Sequence, residues 1–132
     1  MNVVEGWQPV LLITGILYGG ITEEIMMRFG AMSVLAWLFG RVIGREKGHL
    51  ACWIGNIVAA VLFGVLHLPA VAATGTDITA GIAIRTIGLN AIGGLTYGWL
   101  FMRRALESAM LAHAATHVGF AVTALVWSAA VR

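Results

Sequence analysis

Four long stretches of the chain carry no Asp, Glu, Lys or Arg: residues 6–22, 48–76, 86–102 and 108–131. A bilayer core of about 30 Å needs about 20 apolar residues at a rise of 1.5 Å each, so the pattern predicts four membrane-crossing helices. The first starts near Pro9, a residue tolerated in a first helical turn, and runs through Thr22 into the segment 23–28. Residues 29–40 stay apolar but are too short to cross alone. They form either the end of a long tilted helix or a shallow interfacial piece. A polar, glycine-punctuated loop covers 41–48. The second helix, about 50–68, meets Pro69, which kinks or ends it, and Thr74-Gly75-Thr76-Asp77 reads as a turn. A third helix spans about 83–102 and is closed by Arg103-Arg104, and a fourth spans about 107–130. With no repeat or linker, residues 1–132 read as one all-α polytopic membrane domain.

Composition narrows the class further. Hydrophobic residues make up 60% of the chain and charged residues 11%, against about 25% charged in ordinary soluble domains. This excludes a soluble enzyme, a disordered tail and a nucleic-acid binder. The single cysteine, Cys52, supplies no disulfide framework. No basic start or small-residue cleavage site marks a signal peptide. Arg41, Arg45, Lys47, Arg103 and Arg104 gather in two connections, which the positive-inside rule places in the cytoplasm, with both termini facing outward. Gly15/Gly19 and Gly94/Gly98 stand at the GxxxG spacing of close helix packing.

Ionisable groups are costly inside a membrane and are therefore functional candidates. Here they are Glu23, Glu24, Arg28, His67, His113 and His117, with Asn56 and Asn90 as uncharged additions. Glu24 and Arg28 are i, i+4 and share a helix face as a supporting pair. Glu23 points about 100° away on an α-helix, where Arg28 cannot neutralise it well. A carboxylate so placed suits general-base catalysis or proton transport. His67 ends the second helix with Phe63 one turn earlier. His113 and His117, also i, i+4, can ligate zinc together with a carboxylate or direct two donors at an oxyanion. One conflict of depth stands out. His67 lies 20 residues beyond Lys47 and His113 nine beyond Arg104, or about 30 Å against about 14 Å along straight helices. The two meet only if the second helix begins late or tilts strongly.

Three motifs stand in order: Glu23-Glu24-Ile25-Met26-Met27-Arg28 fits EExxxR, Phe63-Gly64-Val65-Leu66-His67 fits FxxxH, and His113-Ala114-Ala115-Thr116-His117 fits the first position of HxxxN/D. Together they resemble the CPBP family of intramembrane proteases over roughly residues 10–125. That family includes type II CAAX prenyl endopeptidases and bacteriocin-processing or self-immunity proteins. The resemblance implies that Glu23 activates water, His67 helps hold it, and His113 and His117 stabilise the oxyanion, with Glu24, Arg28 and Phe63 in support. It favours a glutamate mechanism without cofactor. The traditional metalloprotease label leaves zinc on His67, His113, His117 and Glu23 as the alternative. Expected partners are membrane lipid and a membrane-associated peptide or protein substrate, prenylated or not, at a bacterial or archaeal cell membrane. Position 117 departs from the family, which carries Asn or Asp there. Members also have further helices before EExxxR, so a shortened N-terminal side is expected. The rival readings are a catalytically weak immunity or scaffold protein and a proton-coupled transporter subunit.

Overall fold

The computed structural model describes residues 9–131 and consists of helices and short connections. The expected outward-facing termini, residues 1–8 and Arg132, lie outside the described residues. Helix α1 is one continuous rod, Pro9–Ile43, 35 residues long. The apolar segment 29–40 is therefore the end of a long helix and not a separate interfacial piece. The rod is α-helical over Pro9–Thr14 and Ser33–Ile43 and π-wound over Gly15–Glu23 and Ile25–Met32. It ends at Gly44, whose φ of 101° suits a residue without a Cβ. A tight turn at Arg45–Lys47 leads into α2 (Gly48–Leu66), and His67 separates α2 from the short α3 (Leu68–Ala72), which holds Pro69 in its first turn. Thr79 accepts a hydrogen bond from the Ile82 backbone N–H at 3.3 Å and so starts α4 (Ala80–Arg103) a little ahead of the sequence expectation. Helix α5 covers Leu106–Ala130.

All four expected segments are helical, and among the described residues three spans are long and apolar enough to cross a membrane: Pro9–Ile43, Arg45–Ala72 and Leu106–Ala130. Helix α4 has the length, 24 residues, but more polar side chains. Two of these bond back to its own carbonyls, Asn90 to Thr86 at 2.8 Å and Thr96 to Ile92 at 3.0 Å, which suits an apolar surround.

Packing confirms which solvent the fold is built for. The largest fully buried side chains are Arg28, Glu24 and Asn56, while Val42 is 76% and Ile84 73% exposed. In water this arrangement would be inverted; in lipid, exposed apolar side chains cost nothing and polar groups seek each other. The protein is integral to a membrane. Helices α2 and α4 run antiparallel at close range: a Cβ at Gly94 would stand 3.0 Å from Ala60 Cα, and one at Gly64 2.6 Å from the Ile87 carbonyl. Gly55 likewise meets the α1 backbone, 2.9 Å from Ala36 N. Around the polar interior lies a small apolar core of Met27, Met32, Ala59 and Phe63.

Candidate active site

The π winding of α1 decides which of its side chains face inward. Hydrogen bonds from i to i+5 place more residues in each turn than the 3.6 of an α-helix. Adjacent side chains therefore diverge by less than the ~100° of an α-helix. The expected divergence of Glu23 from the Glu24 face is thereby narrowed and not removed. Both carboxylates reach the same imidazole on α5: His113 Nδ1 lies 2.8 Å from Glu24 Oε1, and His113 Nε2 lies 3.9 Å from Glu23 Oε2.

Glu24 is sealed within the bundle and holds two partners. A carboxylate only accepts, so His113 Nδ1 is the donor to it. Its other oxygen is 3.1 Å from Arg28 Nε. This is a charge contact without the alignment of a hydrogen bond: among the described residues Glu24 Oε2, Arg28 Nε and Arg28 Nη1 have no hydrogen-bond partner. Arg28 Nη2 donates to the Gly94 carbonyl at 3.0 Å. The guanidinium also lies 5.1 Å from the Phe63 ring centre and 5.5 Å from that of Tyr97, within cation–π range. One buried arginine thus ties α1 to α2 and α4.

Phe63 closes the gap in depth that straight helices would leave. Its ring stands edge-on to both His67, at 4.5 Å, and His113, at 5.7 Å. The two histidines both contact one aromatic ring, although their separations from the basic connections differ so much. At the end of α2, His67 Nδ1 donates to the Phe63 carbonyl at 2.8 Å, and Nε2 has no hydrogen-bond partner among the described residues. Glu23 and His67 share the lining of a cavity of about 550 Å³, whose remaining wall includes Tyr18, Met26, Phe63 and Leu66.

His117 stacks on His113 with ring centres 5.1 Å apart and planes inclined by 15°. It occupies the notch left by the two small residues of α1: a Cβ at Gly15 would lie 2.6 Å from His117 Nδ1, and one at Gly19 2.5 Å from His117 Nε2 and 3.3 Å from His113 Nε2. The GxxxG spacing here is a seat for imidazoles as well as a packing surface. Gly19→Ala is therefore expected to displace His117 and to destabilise by about 1–3 kcal/mol, the usual cost of overpacking. Gly88→Ala, where nothing lies within 4 Å of the added Cβ, is expected to be neutral or stabilising. Thermal unfolding of the two variants in detergent checks the contrast.

These side chains do not fit zinc as they are placed. Ligand lone pairs on imidazole lie in the ring plane, and two ligands must converge on one ion at 2.0–2.1 Å. The stacked rings of His113 and His117 point alongside each other instead, and His113 Nδ1 is taken by Glu24. Among the described residues no three His, Cys, Asp or Glu side chains gather as a metal nest.

Comparison with known families places the chain. The model of the family described as type II CAAX prenyl endopeptidase Rce1-like matches residues 5–119. The chain belongs to the Rce1-like family. No curated protein and no solved structure matches it. The matched region contains Glu23–Arg28, Phe63–His67 and His113–His117, the three segments singled out in the sequence. At the level of the family the activity is that of a CAAX-type membrane protease. The sequence pattern does not mark Tyr97, yet it belongs to the site. Its ring stacks on His113 at 4.6 Å with planes 15° apart. Its hydroxyl donates to Thr116 Oγ1 at 2.8 Å, because Thr116 gives its own proton to the Ala112 carbonyl. A tyrosine between Gly94 and Gly98, in the most tightly packed part of α4, was the available signal. Asn56 binds the Leu95 carbonyl at 3.2 Å and joins α2 to α4, whereas Asn90 serves only its own helix.

Proposed function

We propose that the chain is an intramembrane endopeptidase that hydrolyses a peptide bond of a membrane-held, CAAX-type prenylated substrate by a Glu23-activated water. The observation that carries this reading is the division of labour between the two glutamates. Glu24 is fully buried and engaged with His113 and Arg28, whereas Glu23 is 21% exposed and opens on the cavity it shares with His67.

The chemistry follows from the donors and acceptors. Water in that cavity gives one hydrogen bond to the Glu23 carboxylate and one to His67 Nε2, which leaves an oxygen lone pair for the substrate carbonyl carbon. As the C–O bond forms, Glu23 takes the proton and the carbonyl oxygen gains the charge. Collapse of the tetrahedral intermediate breaks the C–N bond, and Glu23 returns the proton to the leaving nitrogen. With Nδ1 committed to Glu24, His113 offers Nε2 as an oxyanion donor when its ring is protonated, and His117 supplies a second donor. Apolar walls keep the cavity poor in bulk water, which strengthens each of these interactions.

The test is cleavage of membrane-anchored reporter peptides, prenylated and unprenylated, by the chain in phospholipid vesicles. Cleavage of the prenylated reporter is expected. A folded chain that leaves both intact removes the reading. His117→Asn restores the residue usual in the family and is expected to keep substantial activity, to resist chelators, and to flatten the dependence of rate on pH, because an amide NH₂ donates at any pH. Loss of activity together with loss of bound zinc would favour the metal mechanism instead.

A further inference from the structure

We infer that the end of the bundle remote from the Glu23 cavity holds a binding site for an anionic phospholipid, its acyl portion in a pocket between α1, α2 and α4 and its phosphate on the basic rim. The pocket has a volume of about 460 Å³ and is walled by Met32, Trp53, Trp99, Phe101 and Met102, with His49 and Arg103 at its polar edge. His49 and His67 stand 18 residues apart on one helical stretch, about 27 Å at 1.5 Å per residue, so this pocket is separate from the proposed active site. Cys52 lines it and also lines a neighbouring groove that includes Arg41 and Arg45.

Charge and aromatic placement both choose the occupant. Of the eight Lys and Arg residues in the chain, Arg41, Arg45, Lys47, Arg103 and Arg104 lie at this end, with only Glu46 and Glu107 to oppose them. Arg41 is folded over the Trp37 ring at 5.0 Å, and Trp53 and Trp99 face the pocket, the belt of tryptophan and arginine expected at headgroup level. Basic pockets between membrane helices on the cytoplasmic side suit anionic headgroups. A quaternary ammonium could also use the tryptophan faces, but Arg103 at the mouth opposes a cation. A phosphodiester with no compensating positive group satisfies both the rim and the walls.

Cys52, the single thiol of the chain, reports occupancy directly. The rate of its modification by a neutral maleimide is measured with the chain in phosphatidylcholine vesicles and in vesicles containing phosphatidylglycerol. Phosphatidylglycerol is expected to slow the reaction, and Arg103→Gln to relieve about fivefold of that slowing, the effect of one basic side chain near an anionic surface. Arg104→Gln, outside the pocket lining, is expected to leave the protection in place. Four results would overturn the site: equal protection by phosphatidylcholine; protection by inorganic phosphate alone; equal loss in the Arg103 and Arg104 variants, which signals a diffuse surface potential; or protection that follows protein density, which signals a second copy of the chain.

Discussion

Glu23→Gln is expected to reduce peptide cleavage by roughly 10²–10⁴-fold, the range for removing a general base, while the chain stays folded. The amide keeps the shape of the carboxylate but cannot take the proton of the attacking water. Folding is spared because Glu23 is not wedged into the interior: its side chain is 21% exposed and His113 Nε2 stands 3.9 Å from its Oε2. No partner is left buried and unsatisfied when the charge goes. Initial rates on a prenylated reporter in vesicles, with unfolding temperature measured on the same preparations, check both halves. A variant that unfolds like wild type yet still cleaves at near its rate would show that Glu23 is not the base.

Arg28→Ala is expected to have the opposite profile, with stability falling first. The side chain is 1% exposed and its partner Glu24 is 0% exposed. Breaking such a pair by removing one member leaves an uncompensated buried charge and costs about 3–5 kcal/mol. The Gly94 carbonyl loses its donor at the same time. Folded yield in mild detergent should therefore collapse together with activity. The double variant Arg28→Met with Glu24→Gln should recover much of the yield, since replacing both members of a buried pair with groups of similar shape is far less costly than orphaning one. Wild-type yield with abolished cleavage for Arg28→Ala would make the arginine a direct participant in the reaction.

The fold was legible because lipid imposes a coarse rule: a span must be long and free of charge. The runs 48–76, 86–102 and 108–131 each returned one principal helix, with boundaries displaced by a few residues, and the first and last of these lie in spans long and apolar enough to cross a membrane. Thr79 shows why the boundaries moved, since a side-chain cap is a local hydrogen bond that hydropathy does not register. The residues gathered at the site were legible for a related reason: Glu23, Glu24, Arg28 and the histidines are the groups that lipid penalises most. Their relative placement was less accessible. A reading of α1 by itself cannot anticipate that Glu23 and Glu24 both stand near one imidazole of α5. A count of rise along straight helices separates His67 from His113 and misses the Phe63 ring that both contact. Tyr97 escaped because a lone aromatic in an apolar helix carries no charge to mark it.

The i, i+4 spacing of Glu24 and Arg28 has a consequence for biosynthesis. Helix α1 is made before α4 and α5 exist, so it enters the bilayer without the Gly94 carbonyl or the His113 imidazole that later hold its charges. At that stage the pair is neutralised within its own helix, and the spacing provides for this before α4 and α5 arrive. The newly inserted rod therefore carries a self-contained ion pair, and the later spans dock against a charge already balanced.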